Sequence, residues 1–135
     1  MEKKILLIMI PVLFVVGGYM IFSSKNVNVS EEPLKLSEQI KAVDGQLVDV
    51  REPDEYATDH ANGAINIPLG DILNGDLSKI DINKPVYVYC RTGNRAGQAK
   101  TALEQAGYKN VTNLGGLSDW QNQGGLACKS TEPNC

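Results

Sequence analysis

The strongest constraint on the fold is an apolar strand pattern followed at once by a helical pattern. Val86-Tyr87-Val88-Tyr89 has the β-branched and aromatic composition of a buried strand. After the loop Cys90–Arg95, apolar residues recur at helical spacing, and Gly107 stands where a left-handed helix cap is expected. This order of strand, loop and helix favours a parallel sheet with helical crossovers and a site at the carboxyl ends of its strands.

The same alternation continues on both sides of this unit. The spacing of Leu36, Ile40 and Val43 predicts a helix capped by Ser37, and the remaining patterns predict further short elements. These are a strand at 47–50, a helix at 53–57, a loop at 59–63, and strands at 64–67 and 111–114. We therefore predict an α/β fold with an open parallel sheet.

Composition limits the classes of protein that this chain can belong to. Its 135 residues suffice for one ordinary domain, and 42% hydrophobic residues are too many for a disordered chain. The chain has 13 Lys and Arg against 16 Asp and Glu, a net charge of −3. This balance predicts no general binding of nucleic acid.

The first 24 residues form a separate hydrophobic segment. Lys3 and Lys4 precede an uncharged run, Ile5–Phe22, whose 18 residues would extend about 27 Å as a helix at about 1.5 Å per residue. One interpretation is a transmembrane anchor at residues 5–22, single-pass with its N-terminus inside. The other is a signal peptide cleaved after Gly18, which would leave the domain soluble. Both interpretations place the domain outside the cytoplasm.

Cys90 and the loop after it carry the candidate chemistry. Arg91-Thr92-Gly93-Asn94-Arg95 follows the cysteine, between a buried strand and a helix start. Successive backbone N–H groups there can cradle an anion, and together with the two arginines they favour a reactive thiolate. The alternative is an inert buried cysteine, as is common for this residue type.

The motifs as a set resemble the single-domain rhodaneses, a sulfurtransferase family, and most closely the small periplasmic bacterial members. The resemblance covers approximately Ser37–Gln123 and includes several ordered blocks, with one departure at Asp59-His60-Ala61-Asn62. It implies helices on both faces of the sheet, and it implies a structural rather than catalytic role for His60. The blocks are Asp49–Tyr56, Gly63–Pro68, Cys90–Arg95, and Asn113–Leu117 with Trp120.

The resemblance also implies a reaction. Thiosulfate would bind in the cradle, Cys90 would attack its outer sulfur, and the resulting persulfide would pass sulfur to cyanide or a thiol. Arg91, Arg95 and the loop amides would neutralise the anion and stabilise the leaving sulfite. No metal or organic cofactor is needed, and we expect a monomer on the periplasmic side of the inner membrane, or in the periplasm if the N-terminus is cleaved.

Two other functions use a cysteine in a loop of this kind. A cysteine phosphatase or arsenate reductase would need a Cys-x5-Arg loop, but the arginine here is at Cys plus five, Arg95, and the next position is Ala96. A persulfide carrier or redox partner with little thiosulfate turnover is a stronger alternative, because the loop alone does not fix the sulfur donor.

Other polar and aromatic residues are predicted to be structural. Asp49, Arg51 and Glu55 are interpreted as charges that fix a strand end to the next helix, and Trp120 as a core residue. No cysteines and histidines occur at zinc-ligand spacing, so the sequence predicts no metal site.

Two further cysteines lie near the C-terminus. We divide the chain into the hydrophobic segment 1–24, a linker at 25–33, the rhodanese-like domain at 34–125 and a tail at 126–135. Cys128 and Cys135 in this tail can form a disulfide in an oxidising compartment, which leaves Cys90 as the odd, free thiol. Alternatively, one of the two resolves the Cys90 persulfide.

Overall fold

The structure is a computed structural model that describes residues 12–16, 19–23, 34–133 and 135. The chain divides into two compact units, Met1–Pro33 and Leu34–Cys135. The predicted linker at 25–33 lies outside the described residues.

The described part of the first unit consists of two antiparallel strands. Strand β1 is Val12–Val16 and strand β2 is Tyr19–Ser23, with Val12 opposite Ser23 and Val16 opposite Tyr19. The predicted N-terminal hydrophobic helix is therefore not confirmed. The segment is rich in valine, isoleucine and aromatic residues, which favour strands, whereas the length of an apolar run does not distinguish the two structures. Among the described residues, no helix has the length and apolar character needed to cross a membrane.

The second unit alternates helices with short strands. In chain order its elements are α1 (Leu36–Ala42), β3 (Gln46–Asp49), α2 (Pro53–Thr58), β4 (His60–Ala61), β5 (Ile65–Asn66), α3 (Leu69–Leu73), β6 (Val86–Cys90), α4 (Asn94–Gln105), β7 (Val111–Gly116), α5 (Leu117–Asn122) and β8 (Ala127–Cys128).

Four of these strands form one parallel sheet, in the order β5-β3-β6-β7. Strand β6 lies inside the sheet, with Val88 opposite Val48 of β3 and opposite Asn113 of β7. Because parallel strands present their carboxyl ends at the same edge, Cys90 lies where loops from neighbouring strands converge. The fold is the predicted α/β arrangement.

Helices cover both faces of this sheet. Residues of β6 alternate between two apolar cores, as the two-residue period of a strand requires. Val86, Val88 and Cys90 belong to the core with α3 and α4, which contributes Ile72, Ala96, Ala99 and Leu103. Tyr87 and Tyr89 belong to the core with α1, α2 and α5, which contributes Ile40, Tyr56, Leu117 and Trp120.

Several local predictions were wrong in detail. Helix α1 begins at Leu36 after Lys35, so Ser37 is inside the helix rather than its cap. Val43 follows the helix and is 49% exposed, so it does not belong to the core. Short helices α3 and α5 were not predicted, and the loop predicted at 59–63 contains β4, which pairs antiparallel with β8 of the tail.

Candidate active site

Cys90 is the last residue of β6, and the chain turns immediately after it into α4. The turn depends on Gly93, whose φ of 95° lies in the left-handed region that favours glycine. The thiol is almost completely buried at 1% exposure, and the Gly93 backbone N–H donates to its Sγ at 3.0 Å. Strand end, turn and helix start thus fix the sulfur among backbone donors.

These donors determine the protonation of the thiol. Burial raises the pKa of Cys90, because the thiolate loses hydration, but backbone N–H groups around the sulfur lower it by more. The net pKa is below that of an ordinary cysteine. The donors are those of Ala96, Thr92, Gly93 and Arg95. Hydrogen bonds to the charged form and a helix N-terminus are the means by which proteins favour a thiolate.

We expect the ultraviolet absorbance of the Cys90 thiolate to appear at lower pH than that of a free thiol such as glutathione. In oxidised protein Cys90 is the free cysteine, so the Cys90→Ser variant provides the baseline to subtract. The thiolate fraction should rise with pH through the lowered pKa. A midpoint at or above that of glutathione would contradict the role of the loop amides.

Arg95 was predicted to bind the substrate anion, but its guanidinium pairs with Glu55. Nη1 donates to one carboxylate oxygen of Glu55 at 2.6 Å and Nη2 to the other at 2.9 Å. This bidentate pair ties the start of α4 to α2. The pKa of Arg95 is raised, first by this hydrogen bond and also by attraction to a Cys90 thiolate. The Glu55 pair fixes the guanidinium while its charge still acts on the sulfur, and binding of the substrate anion by Arg95 stays a prediction.

The same pair makes stability depend on pH. The hydrogen bond from Arg95 lowers the pKa of Glu55 from 4.5 to about 2. A lowered carboxyl pKa stabilises the fold above pH 4.5, and this contribution is lost as the pH falls toward the folded pKa.

We expect Glu55→Gln to reduce the free energy of unfolding by about 1–2 kcal/mol near neutral pH, allowing for partial solvent screening. Urea unfolding of variant and wild type should show this gap above pH 4.5 and show it closing toward pH 2. A gap that is the same at both ends of this range would show that the ion pair is not its source.

The other residues predicted to form the anion cradle contribute mainly their backbone groups to the site. The side chains of Arg91, Thr92 and Asn94 are exposed. Asn94 Oδ1 accepts a hydrogen bond from Gln98 at 2.9 Å, and the Arg91 side chain forms no ion pair within residues 34–133. The structure thus gathers amides around the sulfur, and leaves the Arg91 side chain at the rim.

Contacts from Asn113 and Gly116 that hold the Cys90 loop were not predicted from the sequence. Asn113 Nδ2 donates to the Gly93 carbonyl at 3.0 Å, and its Oδ1 accepts from the Gly115 N–H at 2.8 Å. A Cβ at Gly116 would lie 2.3 Å from the Arg91 carbonyl oxygen, so only glycine allows this approach. The Gly115-Gly116 pair was the available signal, because adjacent glycines often mark close backbone contact.

A buried polar network lies below the sheet edge. Arg51 Nη2 lies 2.7 Å from Asp49 Oδ2, and the Tyr89 hydroxyl donates to the same oxygen at 2.8 Å. The Tyr89 oxygen also accepts from the Ala61 N–H at 2.9 Å. Asp49 and Arg51 thus form the structural charge pair that the sequence predicts at the strand end. Glu55, which was predicted to belong to the same group, pairs with Arg95 of α4.

Trp120, His60 and the two tail cysteines make their contacts away from the Cys90 loop. Trp120 is 1% exposed and donates from Nε1 to the Leu126 carbonyl at 2.9 Å, so it is a core residue. His60 is buried, and its ring nitrogens contact Tyr56 and the tail sulfurs. Cys128 and Cys135 are joined by a disulfide. The sequence predicted no metal-ligand cluster, but the fold brings these two cysteines together with His60.

Comparisons with known proteins agree with this geometry. PspE, the thiosulfate sulfurtransferase of Escherichia coli K12, is 45% identical over 73 residues, 53% of this chain and 70% of PspE. The thiosulfate:glutathione sulfurtransferase of Saccharomyces cerevisiae is 32% identical over 121 residues, 76% of this chain and 87% of that protein. This chain spans between 20% and 60% of the length of several other relatives.

The fold comparison leads to the same group of proteins. A solved structure described as a rhodanese with anions from E. coli superposes with a TM-score of 0.55 and 38% identity, over 64% of this chain and 99% of that one. The family model of the Rhodanese-like domain matches residues 32–123, which include the sheet, both helical layers and the Cys90 loop. This chain therefore belongs to the rhodanese-like domain family.

Proposed function

We propose that this protein takes the outer sulfur of thiosulfate onto Cys90 and transfers it to a small thiol or to cyanide. The proposal rests mainly on the surroundings of the Cys90 sulfur. Cys90 is a free cysteine with a lowered pKa, held at the end of β6 by backbone donors that would equally stabilise an anion.

The reaction requires two displacements at sulfur. The Cys90 thiolate attacks the outer sulfur of thiosulfate, a new S–S bond forms, and sulfite leaves with the electron pair of the broken bond. The acceptor, a thiolate or cyanide, then attacks the outer sulfur of the persulfide and returns Cys90 to the thiolate. Negative charge stays near the same amides throughout, so one set of donors serves both steps.

Burial of Cys90 favours a small donor. Because the sulfur is only 1% exposed, we expect a compact anion to reach it more easily than a persulfide held on a partner protein. The names of PspE and of the yeast relative, both of which include thiosulfate, support the same donor.

The test compares two donors in steady state. We expect thiocyanate formation from thiosulfate and cyanide, at a rate well above that of sulfur acceptance from a protein persulfide. A chain that accepts sulfur from the protein persulfide and shows no turnover of thiosulfate would be a persulfide carrier, which would overturn the proposal.

We also propose that the domain works outside the cytoplasm, in the periplasm or on its side of the inner membrane. The support is in the sequence, where Lys3 and Lys4 precede the apolar run 5–22, and in the Cys128–Cys135 disulfide, since disulfides persist in oxidising compartments.

We expect fractionation to find the full-length chain in the membrane, or a soluble periplasmic form whose new N-terminus is near Tyr19. Sequencing of the N-terminus distinguishes the two. Full-length chain recovered from the cytoplasmic fraction would contradict this location.

A further inference from the structure

His60 and the two tail cysteines form a cluster of metal-binding atoms that is separate from Cys90. His60 Nε2 lies 2.9 Å from Cys135 Sγ and 3.8 Å from Cys128 Sγ. All three atoms are within 4.8 Å of one another. His60 and Cys128 are directly opposite in the β4–β8 ladder, so the backbone itself sets their distance.

The His60 ring is oriented as in a metal ligand. Its Nδ1 is 2.8 Å from the Tyr56 carbonyl oxygen, which can only accept, so Nδ1 carries the proton of the neutral ring and donates it there. The ring also stacks on Tyr56, with ring centroids 3.7 Å apart. The Nε2 lone pair therefore faces the sulfurs. A backbone carbonyl that holds one ring N–H while the other nitrogen binds metal is the usual arrangement at metal-binding histidines.

The disulfide offers no hydrogen-bond donor to His60 Nε2. His60 is only 3% exposed, and neither sulfur of a disulfide carries a proton that could be donated to Nε2. A buried acceptor without a donor is costly. Reduction changes the cluster, because it replaces the disulfide with two thiols that can ionise and bind a cation together with the imidazole.

We propose that reduction of the Cys128–Cys135 disulfide creates a zinc site with His60, so that the oxidised protein excludes the metal and the reduced protein binds it. A dithiol reductant supplies two electrons and two protons, and itself becomes a disulfide. The S–S bond breaks into two thiols. Zn²⁺ then binds both sulfurs and His60 Nε2, and the two thiol protons are released to solvent.

The geometry suits Zn²⁺ with three protein ligands. Zn–S bonds of about 2.3 Å in a tetrahedron place two sulfurs about 3.8 Å apart. The Cα atoms of Cys128 and Cys135 are 5.7 Å apart, and Cys135 is exposed, so rotation of its side chain can open this distance. Water completes the fourth position on the exposed side. Two cysteines and one histidine with water is an established zinc ligand set.

The experiment uses the full chain with Cys90→Ser, which removes the one other thiol that could bind metal. Protein is reduced with a phosphine, freed of reductant under nitrogen, and titrated with Zn²⁺ in competition with a chromophoric chelator. We expect one Zn²⁺ per reduced chain and none per oxidised chain, counted by native mass spectrometry. Co²⁺ in place of Zn²⁺ should show thiolate-to-metal charge transfer in the reduced protein only.

Variants test the three ligands. Cys135→Ser should weaken Zn²⁺ binding at least about 100-fold, and His60→Gln at least about tenfold, whereas Ser130→Ala at an exposed position of the same tail should match the parent. Because Cys135 is exposed, its variant tests the site even if the buried His60 variant fails to fold. Equal binding by oxidised and reduced protein, binding unchanged in Cys135→Ser, or no binding by the reduced chain would each overturn the proposal.

Discussion

Replacing Cys90 by serine is expected to reduce sulfur transfer from thiosulfate by at least about 1,000-fold, the largest effect of any single substitution. A serine hydroxyl is not ionised at neutral pH, and it cannot carry a persulfide. The fold should be retained, because serine nearly matches the volume of cysteine and the Gly93 N–H can donate to its oxygen.

The measurement is thiocyanate formation with a thermal melt of each protein alongside. Cys135→Ser is the matched control, since the same chemical change is made at an exposed cysteine whose sulfur contacts His60 and not the Cys90 loop. Thiosulfate turnover retained in Cys90→Ser would remove Cys90 from the reaction, and equal losses in both variants would indicate a general effect on the fold.

The largest effect on stability is expected for Asp49→Ala. Asp49 is fully buried, and its carboxylate accepts hydrogen bonds from Arg51 and Tyr89. Removing it leaves the Arg51 guanidinium, on a residue only 5% exposed, without its main partner. Breaking a buried pair in this way costs about 3–5 kcal/mol, because the remaining charge is desolvated and unpaired.

Urea unfolding of Asp49→Ala and of Glu104→Ala measures this cost against an exposed pair. Glu104 pairs with Lys100 one turn away on α4, and both side chains are more than a third exposed. Loss of this ion pair should lower the free energy of unfolding by no more than about 0.5 kcal/mol. A cost below about 1 kcal/mol for Asp49→Ala would show that the network under the sheet edge contributes little.

The sequence predicts the centre of the fold because the signals there are local. Val86–Tyr89 is a strand by composition, and the helix after it shows its apolar face at regular spacing, so the position of Cys90 between them follows directly. Gly107 has a φ of 101°, as a left-handed helix cap requires. Backbone donors around the sulfur were predictable for the same reason, since they come from the strand end and the helix start.

Contacts between distant segments were not predictable from one sequence. Arg95 was predicted as an anion ligand, and nothing local shows that α2 also brings Glu55 to it from 40 positions away. The β4–β8 pairing likewise joins two short segments that carry no strand signal of their own, 68 positions apart at His60 and Cys128. Spacing rules for metal sites fail here for that reason, because the ligands meet only after the tail pairs with the domain.

We propose that Cys90 carries sulfur from thiosulfate, and the mass of the Cys90 peptide tests this most directly. The protein is treated with an equimolar amount of thiosulfate and no acceptor, so that only the first displacement can occur. It is then quenched with an alkylating agent, digested and analysed without reduction. We expect one additional sulfur atom on the peptide containing Cys90, with release of one sulfite, and loss of this sulfur when cyanide is added. An unmodified Cys90 peptide, or extra sulfur only at Cys128 or Cys135, would contradict it.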